Sequence, residues 1–436
     1  MDDAKKDQNE GITAISVQGF KSIAVESRIE VRPLTILAGA NSSGKSSVMQ
    51  PLLLMKQTLE ASYDPGPLLL NGPNAKFTSA NQFVSRLQKN SDSQAFSIGI
   101  EHAKGRTLKV VFSLSKNQTL EIQKMAIGEG KRSLCLRPNQ KDADLENAIL
   151  TSRLQEVKWP EQLKPSLSVV KNRCFLDVNF EGRHVVGIYY EVSKTGGFSE
   201  PYSENLHSMI HVPGLRGNPE RVYPRTATGP HFPGIFENYV ATIIEQWQQK
   251  EELQALESIL SALGLTREIS VKGVNNTQIE LQVGRLPEAE PNGADLVNIA
   301  DVGFGVSQVL PVLVALLVAE SGQLVYLEQP ELHLHPRAQY ELAKILADAA
   351  KRGVRLVVET HSSLLLLMIQ TLMAKGDLEP DLVKLHWFSR NPEDGMTAIQ
   401  SADLDENGAF GDWPEDFGDV ELKAEGAYLD AVEGRG

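Results

Sequence analysis

Apolar positions along the chain fall into two regimes. At 12–20 and 28–31, apolar and polar residues mix over strand-length runs joined by a polar turn. The next run, Leu34, Thr35, Ile36, Leu37, Ala38, is almost wholly apolar, as expected of a strand covered on both faces. It stops at Gly39, and over 47–59 the apolar Val48, Leu52 and Met55 recur at helical spacing. After Asp301 the same style returns: 306–319 predicts a helix, 323–327 a buried strand, 336–351 an amphipathic helix and 355–358 another strand. Strands alternating with helices predict an α/β fold around a mostly parallel, mixed sheet. Between these ends, over 61–293, Gly, Pro and Asn punctuate short strand-like runs at 96–100, 108–114 and 185–191, and 236–263 alone has substantial helical character. The pattern predicts a head split between residues 1–60 and 294–401, an α+β insertion at 61–293 serving as a lid or partner-binding unit, and a C-terminal segment at 402–436.

Charge sharpens this division. The net charge of the 436 residues is −13, but residues 403–436 hold 11 acids against Lys423 and Arg435, so −9 of it belongs to the last 34 residues. The remainder is nearly neutral, so the acidic total does not exclude a nucleic-acid partner, which needs only a local basic surface. Basic residues gather at 104–141, where a solvated strand face is the plainer reading. Trp413, Pro414 and Phe417 inside the acidic stretch predict that it docks on the head or on a partner. Two cysteines, Cys135 and Cys174, suit reduced core positions and a cytoplasmic location. The charged first ten residues predict no signal peptide, and the longest apolar stretch, 309–319, is too short to span a bilayer.

Four constellations carry candidate chemistry. Gly39-Ala-Asn-Ser-Ser-Gly-Lys-Ser46 fits the Walker A pattern between a strand and a helix. Its glycines let the backbone of Asn41, Ser42, Ser43 and Gly44 wrap phosphate oxygens, Lys45 reaches the β and γ phosphates, Ser46 binds Mg²⁺, and Ser47 completes the match. The strand at 324–328 ends in Glu328-Gln329-Pro330-Glu331, and an acid at that end of a parallel sheet can hold Mg²⁺, which assigns Glu328 to the metal. His361, just past the next strand, points into the same crevice, where an imidazole can contact the γ phosphate. Last, Asp301-Val-Gly-Phe-Gly-Val-Ser307-Gln308 opens a helix and offers an anion site built from Ser307 and free backbone donors.

Together these motifs resemble the ABC-type ATPase heads of the RecF, SMC and OLD group, especially its stand-alone prokaryotic members. Residues 302–308 look like the signature loop, 328–336 like Walker B with the D-loop, and 359–362 like the switch-histidine motif; the segments 209–223 and 412–417 look like ones found in one subfamily. The resemblance implies a P-loop NTPase fold with ATP and Mg²⁺, and a head-to-head dimer in which Ser307 and Gln308 act on the partner's ATP. It also implies a glutamine after the Walker A helix that helps hold the metal. Gln50, Gln57 and Gln82 are the candidates, of which Gln82 is favoured. His333 and His335 fall in the D-loop and not in a metal site.

One position departs from the group. Where many such heads place a glutamate after the Walker B acid, this chain has Gln329, a poor proton acceptor. A slow ATPase in which Gln329 only positions water is the preferred reading; the others pass the role to Glu331 or His361, or treat Gln329 as a trapping substitution. The resemblance extends to ATPase subunits of the antiphage systems PARIS, Septu and Gabija. It implies a sensor or scaffold subunit that answers a phage trigger and controls a separate nuclease effector of HNH or TOPRIM type, since the chain shows no nuclease motif. The competing reading is a RecF-like repair ATPase that binds DNA through 104–141, Arg216, Arg221 and Arg225; for Arg216 itself, structural ion pairing is the expected role.

Overall fold

The computed structural model describes residues 11–87, 94–130, 132–140, 145, 166–183, 191–196, 199–285, 293, 295–405, 407–410 and 426–430. Its centre is a six-stranded sheet in the order Ile210–Val212, Leu324–Glu328, Arg355–Glu359, Leu34–Gly39, Val383–Arg390, Thr397–Ala402. The first five strands are parallel and the last is antiparallel, so the sheet is mixed. Because successive side chains alternate between faces, each run supplies two cores. Leu34, Ile36, Val325, Leu327, Leu356 and Val358 join one core, which contains residues of the helices Phe304–Val318, Pro336–Lys351 and Ser363–Ala374. Leu37, Leu324, Tyr326 and Val357 join the other, with the helix Lys45–Glu60. This two-sided burial is why these strands read as unbroken apolar runs.

The second core is closed by an antiparallel sheet in the order Ser27–Glu30, Ile12–Gln18, Ala95–His102, Arg106–Leu114, Leu120–Glu129, Arg132–Leu136. Phe20, Phe83, Phe96 and Phe112 form a chain of ring contacts, with neighbouring centroids 5.1 to 5.4 Å apart from Phe83 onward. Hydrogen bonding thus joins strands from 61–293 to both ends of the chain: Ala95–His102 pairs with Ile12–Gln18, and Ile210–Val212 pairs with Leu324–Glu328.

The helical stretch expected over 236–263 is two helices, Glu237–Gln249 and Gln254–Ala262. The break falls at Glu251, whose φ of 59° is left-handed and ends helical propagation without a glycine to mark it. Trp413, Pro414, Phe417 and most of the run 185–191 lie outside the described residues. The start of the acidic segment is nevertheless anchored. Asp403 accepts from Arg32 and Lys384 at 2.7 and 2.8 Å, and Leu404 and Phe410 are buried. Nearby, the His386 ring lies 2.8 Å from both the Glu30 carbonyl and the Ser401 hydroxyl; burial pushes its pKa down to about 4, so it is neutral at pH 7. Cys174 is buried and Cys135 half-buried, both as free thiols. No described helix is long and apolar enough to cross a membrane.

Ile36 is fully buried on the central strand. Ile36→Ala is expected to lower stability by about 2–5 kcal/mol, read as a shifted denaturant midpoint in chemical unfolding.

Candidate functional site

Three strands of the central sheet end side by side, and a cleft of about 800 Å³ opens over their C-terminal edge. The loop after Leu34–Gly39 supplies its floor. Gly39 has φ 140°, and a Cβ there would sit 2.1 Å from the Phe388 carbonyl oxygen; Gly44 has φ 105°, with a Cβ 2.4 Å from Thr397 Oγ1. Both positions therefore require glycine. The Thr397 hydroxyl braces the loop, donating to the Ser43 carbonyl at 2.7 Å and lying 2.8 Å from the Ser22 hydroxyl. Lys45 Nζ donates to the Gly39 and Ala40 carbonyls at 3.0 and 2.7 Å, across the loop it would share with phosphates. Burial pulls the Lys45 pKa down, against the attraction of Glu359.

Strand register then sets the acids. Glu328 pairs directly with Glu359, and Glu359 with Leu37, so two carboxylates stand beside the loop. Ser46 Oγ donates to Glu359 Oε1 at 3.0 Å, and the buried Tyr326 hydroxyl donates to Glu359 Oε2 at 2.8 Å. Glu328 is held from the other side, by His211 Nε2 at 3.1 Å and the Gly214 N–H at 3.2 Å. The His211 ring stacks on Tyr326 with centroids 5.2 Å apart. Burial pushes both carboxyls up, but the outcomes differ. For Glu328, the hydrogen bonds from His211 and Gly214 outweigh burial and hold the pKa below its ordinary value. For Glu359, burial prevails over the Tyr326 and Ser46 bonds, and the nearby Glu328 charge adds to it.

Of the residues expected at the site, Asn41, Ser42, Gly44, Lys45, Ser46, Ser47, Gln82, Glu328, Gln329 and His361 line this cleft. Burial, helped by the Lys45 charge, lowers the His361 pKa, so its imidazole is neutral at pH 7. Gln50 also lines the cleft and accepts from Lys21 Nζ at 2.6 Å, whereas Gln57 is buried and bonded to Leu69, Asn74 and Ala75. Four other expectations lie elsewhere. Ser43, expected to contribute its backbone, has its side chain buried, the hydroxyl without a hydrogen-bond partner among the described residues. Glu331 is buried and does not line the cleft: its Oε1 accepts from the Thr360 hydroxyl at 2.5 Å, and its Oε2 has no hydrogen-bond partner among the described residues. Gln308 is also buried, and its amide donates to the Gly217 carbonyl at 3.0 Å, which directs it inward. Ser307, whose hydroxyl donates to the Phe304 carbonyl, lines a separate cavity of about 230 Å³.

Sequence reasoning did not assign site roles to Lys21, Glu359, His211 or Arg390, although Lys21, Glu359 and Arg390 line the cleft and His211 orients Glu328. Glu359 carried a readable signal, an acid ending an apolar strand in the same pattern as Glu328. His211 carried none, since its partner is 117 residues away in the chain.

Two family models match the chain. The model described as "AAA ATPase domain" matches residues 11–162, and that described as "AAA domain, putative AbiEii toxin, Type IV TA system" matches 199–367. The second match spans Glu328 and His361, and the first spans the phosphate loop. Both matches are to ATPase domain families of the AAA type. No curated protein matches this chain. Solved structures that resemble it include the SMC head bound to the C-winged helix domain of ScpA, at 12% identity and a TM-score of 0.48, covering 91% of this chain and 98% of that one. The SMC head domain from Thermotoga maritima follows at 12% identity and TM-score 0.40, covering 90% and 100%. The SMC head with an extended coiled coil bound to the C-terminal domain of ScpA, from Pyrococcus furiosus, has 11% identity and TM-score 0.43, covering 97% and 100%.

The raised Glu359 pKa ties the stability of the fold to pH. Its ionised form is disfavoured in the folded state, so the stability associated with the protonated carboxyl is full below the ordinary value of 4.5 and is lost as pH rises through the folded pKa. Wild-type melting temperature is therefore expected to fall relative to Glu359→Gln as pH increases across that window, in nucleotide-free thermal melts; parallel profiles would count against it.

Proposed function

We propose that this ATPase binds ATP with Mg²⁺ in the cleft, hydrolyses it slowly, and closes each site with a second copy of the chain. The observation that carries the reading is the convergence of the phosphate loop, Glu328, Gln329, Glu359 and His361 on one cleft while the signature-like Ser307 lies outside it. The donor set suits the cofactor: the Ser46 hydroxyl and the Glu328 and Glu359 carboxylates are hard oxygen ligands of the kind Mg²⁺ takes, alongside phosphate oxygens and water. Bound Mg²⁺ would neutralise phosphate charge. Lys45 and the loop backbone would hold the phosphates, Gln329 would orient water without accepting its proton, and neutral His361 would face the γ phosphate. Glu359, the acid that Ser46 touches, joins Glu328 as a metal candidate, and Gln82 and Gln50 are the glutamines at hand.

Leu215 at the cleft rim and Phe304 at the start of the Phe304–Val318 helix are 91% and 56% exposed, large apolar surfaces suited to cover by a second head. On this reading Ser307 serves the partner's nucleotide. The dimer acts as a sensor or scaffold of a prokaryotic antiphage module that restrains or releases a separate nuclease, a role supported by the resemblance of the motifs and by a matching family named for a toxin of toxin–antitoxin systems. A RecF-like role in DNA repair is the competing reading. It asks for a basic surface; within 104–141, Arg106 pairs with Glu129 and Lys109 with Glu26, while Lys116, Lys124 and Arg132 are exposed.

Turnover of ATP by the purified protein is the direct test. Lys45→Ala is expected to abolish it, and Gln329→Glu to raise it by about 10²-fold, the scale of a well-placed general base. An unchanged rate in Gln329→Glu would move the base elsewhere. Co-elution of a neighbouring nuclease with the ATP-loaded protein supports the defence role, and salt-dependent DNA binding by the protein alone would replace it with the repair role.

A further inference from the structure

Structural ion pairing was expected of Arg216, but among the described residues its hydrogen bonds go to backbone carbonyls. Its guanidinium donates to four backbone carbonyls: Pro213 at 3.0 Å, Gln308 at 2.8 Å, Glu328 at 3.0 Å and Gln329 at 2.9 Å. Three separate pieces of chain meet on this one planar group: its own loop, the Phe304–Val318 helix, and the end of the Leu324–Glu328 strand. Glu237, Glu331 and Glu328 balance its charge at longer range, while its hydrogen bonds go to carbonyls.

The Gln329 backbone explains what this clamp is for. Gln329 has φ 44°, in the left-handed region that a residue with a side chain enters only under constraint. Three contacts fix it there: its N–H donates to the Glu359 carbonyl at 2.7 Å, and its own carbonyl accepts from the Leu332 N–H at 3.1 Å as well as from Arg216. The side chain of Gln329, so held, lines the nucleotide cleft.

We infer that Arg216 is a positioning residue, one that locks Gln329 in its strained conformation and ties it to the signature-like helix, so that the two sides of the ATP site move as a unit. The inference rests on the proposed ATP hydrolysis and deepens it. It places the link between a head's own water-orienting amide and the loop that would serve its partner's nucleotide in one side chain. A lysine cannot replace it, because a single ammonium lacks the planar fork that reaches separated acceptors.

The test compares Arg216→Lys and Arg216→Met in the full chain with Arg28→Ala, which removes an exposed ion pair with Glu101 outside the cleft. Both Arg216 variants are expected to lose about 10–100-fold in kcat with KM unchanged, the scale of a misplaced reacting group; Arg28→Ala should match wild type. Hydrogen exchange without nucleotide supplies a second readout. Amides of 329–332 and 304–308 should exchange faster together in both Arg216 variants, with the melting transition still cooperative. Raised KM at constant kcat would make Arg216 a nucleotide contact, and faster exchange in only one of the two segments would refute the coupling. Should Arg216→Met not fold, Arg216→Lys decides. Absence of turnover in the wild type would defeat the proposed hydrolysis, and the exchange result would still decide the coupling.

Discussion

Two carboxylates end adjacent parallel strands in direct register, and much of the site is arranged around keeping them there. Glu328 and Glu359 would repel each other in a buried setting, and burial alone disfavours both charges. The structure answers asymmetrically. Glu328 receives His211 and a backbone amide; Glu359 receives two hydroxyls, from Ser46 and Tyr326. One acid is thereby kept ionised and the other is pushed towards its protonated form, so the cleft has a charge that a bound cation can alter.

That asymmetry recruits residues from across the chain. His211 comes from the short edge strand Ile210–Val212, and Gly214 follows in the same loop, which continues to Arg216. A segment only a few residues long thus touches Glu328 by side chain and backbone and Gln329 by a guanidinium. Tyr326 joins the arrangement from within the sheet, stacked on His211 and bonded to Glu359.

What could be read in the sequence follows from which constraints are local. The strand, glycine loop and helix from Leu34 to Glu60 were legible because steric rules and hydrophobic period act over a few residues. So was the position of Glu328 at a strand end. The inward turn of Gln308 was not, since its acceptor Gly217 is 91 residues away, nor was the break at Glu251, where no glycine or proline marks a left-handed residue. Arg216 was visible as a residue but not as a role: only the folded chain shows that its acceptors are carbonyls and not carboxylates. The two-sided burial of the central strands was foreseen, whereas the second sheet that closes one side draws strands from a region that reads as an insertion.

The brace on the phosphate loop has a consequence for biosynthesis. Thr397 supports Ser43 from 354 positions further along the chain, and Gly44 is shaped to fit against it. A ribosome therefore delivers the loop early and its support near the end. Until residues 383–402 emerge and pair beside Leu34–Gly39, the loop lacks one wall, and a chain interrupted before that point carries every residue of the Walker A motif without the shape that would let it grip a nucleotide.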